Sequence, residues 1–455
     1  MVAATASAAT GPSGHPLPRA WRSRAQAFPA VTFLPAGGMK PGTPHRTRDA
    51  MKLRATASRR LALLLTLVAG LGVTRAPAPA AHEPPEPCAA SVPYRSGASG
   101  YHTFRIPAAL HVPGGALLAF AEGRRNSSAD DGDIDLVLRR SLDGGCTWQP
   151  MQLVADAGKD TVGNPVPVID PRTGDIVLLT CRTIGGATKR QVMSGKAAAS
   201  VRRVYVQRST DGGRTWSAQR DITGSVKSAD WRWYAVGPGH AVALRHGSHR
   251  GRLLVPANHS SGTTGLSGAH SLYSDDGGHT WHIGYVSGSV GGPLSLNEST
   301  LAELPDGTVY INARDHDRTA EGTRADAYSA DGGLTLSVPF RPQPLLTGPT
   351  VQGSVLQVSG RPWKKGPLLY SGPSHPDRRL RMQVRASDDG GRSWRPVWSV
   401  SKDPAGYSDL VQTGASVVGL LYETGPLSSH DTIRFTPLPS EHTVAWRDGG
   451  RSSGG

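Results

Sequence analysis

An acidic loop, a scatter of arginines and one tyrosine are the places where residue type and spacing in this chain could do chemistry. The loop Glu122-Gly123-Arg124-Arg125-Asn126-Ser127-Ser128-Ala129-Asp130-Asp131-Gly132-Asp133 holds four carboxylates. A carboxyl group held at the right place can give and take a proton in a reaction. Taken singly, each of the four is ordinarily a turn or solubility residue. Arginines stand in Phe104-Arg105-Ile106-Pro107, in Ile311-Asn312-Ala313-Arg314 and along Arg378-Arg379-Leu380-Arg381-Met382-Gln383-Val384-Arg385. A guanidinium is a planar fork that grips a carboxylate through two hydrogen bonds and keeps its charge. The plainer reading of 378–385 is a strand face open to solvent. Glu298 precedes Arg314 by sixteen residues, which suits a strand, the turn Pro305-Asp306-Gly307 and the returning strand. Tyr407 lies in Gly406-Tyr407-Ser408-Asp409-Leu410, and a lone tyrosine in a β protein is ordinarily a packing residue. Cys88, Cys146 and Cys181 have no metal-ligand spacing, so no metal is expected; they allow at most one disulfide, with the pair left open.

The elements that must position these residues announce themselves through a repeat. Ser-x-Asp-x-Gly-x-Thr-Trp occurs five times, at Ser141–Trp148, Ser209–Trp216, Ser274–Trp281, Ser329–Leu336 and Ser387–Trp394. The fourth copy ends in Leu336, and the fifth has Ser393 in place of Thr. The copies start 68, 65, 55 and 58 residues apart, so one structural unit recurs. Asp-x-Gly is turn chemistry between two strands, and the Trp is expected to anchor the turn against the next unit. Short β-favouring runs such as Ile176-Val177-Leu178-Leu179 and Thr308-Val309-Tyr310-Ile311 alternate with Gly, Pro, Asp and Ser clusters. That pattern is all-β. A unit of about 60 residues over 91–446 gives roughly six units, so the expected fold is a six-bladed β-propeller with Asp-box repeats.

The ends read differently. Residues 1–50 are rich in Ala, Pro, Ser and Arg without apolar periodicity, and are expected to be a disordered or non-native extension. From Met51, Lys52, Arg54, Arg59 and Arg60 precede the apolar run 61–73 and then Ala-Pro repeats up to Ala81. A basic start, a short apolar stretch and small residues make 51–81 a signal peptide. The run is short for a bilayer span, so no stable membrane anchor is expected. A Pro-rich linker is expected at 82–90, then the propeller domain at 91–446 and a disordered Gly/Ser tail at 447–455. The net charge is +15, but 1–81 carry eleven Lys or Arg against one acidic residue, leaving +5 for the remainder. The high isoelectric point is therefore no argument for nucleic acid; a mildly basic surface favours anionic substrates.

Phe104-Arg105-Ile106-Pro107 followed by Asp boxes resembles the sialidase (neuraminidase) family over essentially all of 91–436. Several roles follow by resemblance. Three arginines from different blades would bind the sialic acid carboxylate: Arg105, Arg314 and, counting back from the fifth box, Arg379, with Arg378 as its competitor. Asp130 matches the acid/base aspartate, with Asp131 the alternative one residue out of register. Arg124 matches the arginine near the sugar 4-hydroxyl. Tyr407 matches the nucleophile, Asn297-Glu298-Ser299-Thr300 the segment of its glutamate base, and Glu423 a glutamate that holds Arg105. Asn164 falls where some bacterial sialidases place a residue near the acetamido group. Trp231, Trp233, Tyr234 and His259 are read first as packing and second as lining of the glycerol or aglycone side.

The resemblance implies a retaining exo-α-sialidase, secreted and monomeric, without a cofactor, acting on sialylated glycoproteins, glycolipids or oligosaccharides. Tyrosine has a physical reason here. The anomeric carbon of sialic acid bears a carboxylate, so an anionic nucleophile would approach against like charge. A phenol stays neutral until Glu298 takes its proton. A trans-sialidase uses the same pocket, and a sialic-acid-binding propeller keeps only the arginines. An Asp-box glycosidase with two carboxylates is a third rival, but a neutral sugar calls for no set of arginines.

Overall fold

Strands that are buried on both faces form the framework. Leu117–Arg124 and Ile176–Thr183 are apolar along most of their length and nearly wholly buried, because each sheet packs face to face against its neighbours. The computed structural model describes residues 88–195, 202–288, 294–318, 321–359, 366–414 and 417–439. The expected extension (1–50), leader (51–81), most of the linker (82–87) and the tail (447–455) lie outside the described residues.

The described strands form five antiparallel-rich sheets in a β-propeller arrangement. Three have four strands each, two of them running from Leu296–Glu303 to Val338–Pro342 and from Ser354–Gln357 to Arg395–Ser399. A five-stranded sheet runs from Trp231–Val236 to His282–Gly288. An eight-stranded sheet consists of two antiparallel runs, Thr103–His111 to Gln152–Ala155 and Thr161–Ile169 to Arg220–Asp221. Those runs meet at one parallel pair, Ile134 with Thr161. The last sheet joins Ala405–Gly414, Val417–Thr424 and Thr432–Pro439 to Ser91–Arg95 from the other end of the chain. The core lies between neighbouring sheets. One apolar cluster joins Phe120 and Leu138 to Val162 and Leu178, and another joins Leu421 and Phe435 to Leu117 and Val137.

The Asp boxes are the turns that follow the third strand of a unit. In each, the Ser hydroxyl donates to the Asp carboxylate at 2.7–2.9 Å and accepts from the second Gly N–H. The Thr or Ser hydroxyl donates to the same Asp. These bonds hold Asp143 and Asp211 down at about 2, against the opposing effect of burial. Gly145 is required twice over: its φ is +98°, and a Cβ would meet the Phe435 ring at 2.2 Å.

Two expectations change. The box tryptophan anchors the preceding unit rather than the next one: Trp216 meets Phe120 edge-on, and Trp394 meets Tyr310. Trp148 reaches the last sheet at Phe435. The turn follows the third strand, so its outward side faces the sheet already formed. Leu336 fills the same role with less area, packing partly buried beside Leu254 and Val309. The open cysteine pairing resolves as Cys88–Cys146, with Cys181 free and buried.

Candidate active site

Irregularities in four inner strands cluster at the candidate residues. The ladders slip between Arg105 and Ala108, between Gly163 and Val166, between Leu296 and Ser299, and between Ala405 and Ser408. Each slip is a β-bulge, which re-aims the side chains beside it. Ile106 and Asn164 take positive φ of 57° and 56° there. These slips lie at the starts of the inner strands. The Asp boxes lie by alternation at their opposite ends. A cavity of about 1070 Å³ also opens at the box end, lined by His111, Ile169, Glu303 and Gln412, and it touches none of the candidates.

Tyr407 is the hub. Its hydroxyl donates to Glu298 Oε1, and Arg314 donates to Glu298 Oε2 at 2.7 Å. The Arg105 and Arg379 guanidinium carbons lie 5.3 and 5.8 Å from the centre of its ring. Burial, reinforced by the Glu298 charge, pushes the phenol far above its ordinary range. Burial works against ionising Glu298, but Arg314 and the Tyr407 hydroxyl hold its carboxyl below the usual range. At rest, therefore, the proton sits on the phenol beside a carboxylate ready to take it.

Glu423 is fully buried and accepts four hydrogen bonds. They come from Arg105 Nε (2.8 Å) and its Nη2 (3.3 Å), and from the backbone N–H groups of Ile106 (2.9 Å) and Tyr407 (3.0 Å). Burial opposes its charge, yet Arg105 and these donors hold it below the glutamate range. One carboxylate thus fixes an arginine from one end of the fold to the tyrosine backbone from the other. Gly406 makes room for it, since a Cβ there would meet Glu423 Oε2 at 2.2 Å.

Asp130 pairs with Arg124 at 2.7 Å and lies 3.9 Å from Arg105. Its side chain is 83% exposed. The pocket walls partly desolvate it, but Arg124 and Arg105 more than offset that and hold its carboxyl below the ordinary aspartate range. Asp131 has no ion pair among those described. The loop between Pro373 and Met382 separates the two competing arginines. Arg378 turns out to His375, whereas half-buried Arg379 lies over Tyr407, with its carbonyl fixed by the Ala405 N–H at 2.8 Å. Among the described residues, no carboxylate pairs with Arg379.

Asn164 sits at the edge of this group. Its N–H donates to Glu122 and its side-chain oxygen accepts from Arg202 at 3.2 Å. Trp231, Tyr234 and His259 are buried, while half-buried Trp233 lies between Arg202 and Lys189. Sequence reasoning missed Glu122, which is buried, accepts two bonds from Arg124 and tethers Asn164. Its signal was an apolar strand, Leu117–Arg124, ending in a charged pair. It also missed Arg202, a fully buried cation over Trp233 with no carboxylate partner among the described residues. Among the described residues no group of three or more His, Cys, Asp or Glu is arranged to hold a metal, and no helix is long and apolar enough to cross a membrane.

The fold is thus a β-propeller with Asp-box turns that carries, at the starts of its inner strands, a tyrosine–carboxylate pair ringed by arginines. The BNR repeat-like domain family matches residues 115–420. A sialidase of Micromonospora viridifaciens is 33% identical over 348 residues, covering 72% of this chain and 51% of that protein. Mouse sialidase-3 is 33% identical over 401 residues, covering 75% of this chain and 92% of its own. The structure of a Hadza microbial sialidase, Hz136, superposes with a TM-score of 0.67 at 29% identity, covering 76% of this chain and 67% of that one. The chain spans about half the length of the Micromonospora relative. It belongs to the BNR-repeat sialidase family.

Proposed function

We propose that this protein is a secreted, retaining exo-α-sialidase that removes terminal α-linked sialic acids from glycoconjugates through a tyrosyl-enzyme intermediate. The observation that carries the reading is the Tyr407–Glu298 hydrogen bond inside a ring of Arg105, Arg314 and Arg379. Counting the two runs of the eight-stranded sheet as separate blades supports a six-bladed propeller. The sequence pattern of 51–81 supports export.

The arginines would take the sialic acid carboxylate, with Arg379 free to do so and Arg105 and Arg314 already oriented by glutamates. That carboxylate, arriving beside Asp130, offsets the arginines that hold Asp130 ionised and raises its affinity for a proton. Protonated Asp130 then gives its proton to the leaving oxygen. Tyr407 loses its proton to Glu298 and attacks the anomeric carbon, forming the glycosyl-enzyme. Asp130, now a base, takes a proton from water, whose oxygen attacks the same carbon. Tyr407 leaves and recovers its proton from Glu298.

The test is release of fluorophore from an aryl α-sialoside by the purified protein and by Tyr407→Phe. NMR of the first-formed sugar reports the anomer. Expected are turnover, initial release of the α-anomer, and loss of turnover in Tyr407→Phe. Binding of sialyllactose without turnover would favour the sialic-acid-binding rival, and transfer to added lactose the transferase.

A further inference from the structure

The backbone immediately beyond Tyr407 is tied down more heavily than a propeller strand requires. Asp409, two residues on where regular pairing has resumed, is fully buried. Its Oδ2 accepts the backbone N–H groups of Ala109 (2.8 Å) and His240 (3.1 Å). Its Oδ1 accepts from His240 Nδ1 (2.7 Å) and from the Ser354 hydroxyl (2.9 Å). These partners come from three other inner segments, so one carboxylate joins four segments around the axis. Between Tyr407 and Asp409, Ser408 is clamped by one side chain. Its N–H donates to Gln352 Oε1 (3.1 Å), and its carbonyl accepts from Gln352 Nε2 (3.0 Å). Ser354 closes the knot by accepting the Leu410 N–H at 3.1 Å. Gly239 leaves space for Asp409: a Cβ there would lie 3.1 Å from Oδ1, at a φ of +102°. His240 also lines the cavity at the box end, so the knot separates that cavity from Tyr407.

Nothing in this knot reaches the Tyr407 hydroxyl, Glu298 or the arginines. What it controls is where the Tyr407 backbone sits, together with the Glu423 bond to the Tyr407 N–H above it. We propose that Asp409 and Gln352 are positioning residues that set the Tyr407 phenol against Glu298, acting on the covalent step and not on substrate capture. The proposal rests on the sialidase reading above. A displacement of the nucleophile by about 1 Å can cost on the order of 10²-fold in rate, whereas the Arg379 side chain takes no bond from Asp409, Gln352 or Ser354.

The test uses Asp409→Asn, Gln352→Ala and the milder Ser354→Ala in the full chain. Two readouts are taken: kcat and KM on an aryl α-sialoside, and the ¹³Cζ-tyrosine NMR resonance of Tyr407, assigned with Tyr407→Phe. Expected is a kcat loss of about 10–100-fold for the first two and less for Ser354→Ala, with KM within about twofold. The Tyr407 resonance should shift in each variant, because its bond to Glu298 loosens. Folded variants with wild-type kcat and an unmoved resonance, or a loss confined to KM, would overturn the proposal. If Asp409→Asn does not fold, the other two carry the test. If the wild type turns over no sialoside, the functional reading fails, and the resonance still decides whether the knot positions the phenol.

Discussion

Acid should loosen this fold through two buried histidines, and the effect can be sized. His259 and His270 face each other across neighbouring strands, Nδ1 to Nδ1 at 3.1 Å, and are 5% and 0% exposed. Trp231 stacks flat on His259 at 3.9 Å. Burial lowers His259 to about 4, and burial together with the neighbouring imidazole holds His270 well below its ordinary value. An unfolded histidine titrates near 6.5. The unfolded chain therefore takes up protons that the folded one refuses. Stability is full above about pH 6.5 and falls as pH drops towards 4. At pH 5 an unfolded histidine is almost wholly protonated, whereas His259 in the fold is about one-tenth protonated. That difference costs about 2 kcal/mol from His259 alone, and His270 adds to it with the same sign. The assay is the urea midpoint at pH 7 and pH 5 for the wild type and His259→Gln. The substitution lowers stability at both values by losing the Trp231 stack, but it should shrink the wild-type drop between them by about 2 kcal/mol. An identical drop in both proteins would show that His259 is not held neutral and would refute the reasoning.

Other outcomes follow from the site and the staple. Arg379→Ala, which breaks no ion pair, should raise KM about 10-fold or more with Tm nearly unchanged. Arg105→Ala should raise KM and also lower stability by about 3–5 kcal/mol, because Glu423 is left buried and unpaired; steady-state kinetics beside thermal melts separate the two. Arg124→Gln removes the cation nearest Asp130, so the alkaline limb of kcat/KM against pH should move to higher pH; an unmoved limb would count against Asp130 as the acid. Cys88→Ser with Cys146→Ser frees a loop spanning 58 residues, worth about 4 kcal/mol of closure entropy, or about 5 °C in Tm.

The repeat made the sheets legible because each box is a local device: Ser, Asp, Gly and Thr within eight positions satisfy one another. The candidate site was readable as separate segments, and the fold gathers Arg105, Asp130, Glu298, Arg314, Arg379 and Tyr407 around one ring and its hydrogen bond. What stayed hidden is non-local. Asp409 holds an amide 300 positions away, which no spacing or period encodes, and the Glu423 grip on an arginine 318 positions away was reached only through the family resemblance. The choice between Arg378 and Arg379 rested on which one His375 captures, and the disulfide pair on how the first strand lies against the first box. The anchoring direction of the box tryptophans was misread because a turn motif says which residue is apolar and not which neighbour already stands beside it.

The strand Ser91–Arg95 completes, on its outer edge, the same sheet that carries Tyr407 and Glu423. That places Tyr407 in a sheet assembled, among the described residues, from the first strand and the last three. During synthesis the arginine-bearing and acid-bearing segments leave the ribosome first, and Arg105 waits more than three hundred residues for the glutamate that aims it. A nascent polypeptide therefore lacks the Tyr407–Glu423–Arg105 arrangement until the strands of 405–439 emerge and pair with Ser91–Arg95. On the proposed function, closing the ring and completing the site become a single event, set by when the Tyr407 and Glu423 strands meet Ser91–Arg95.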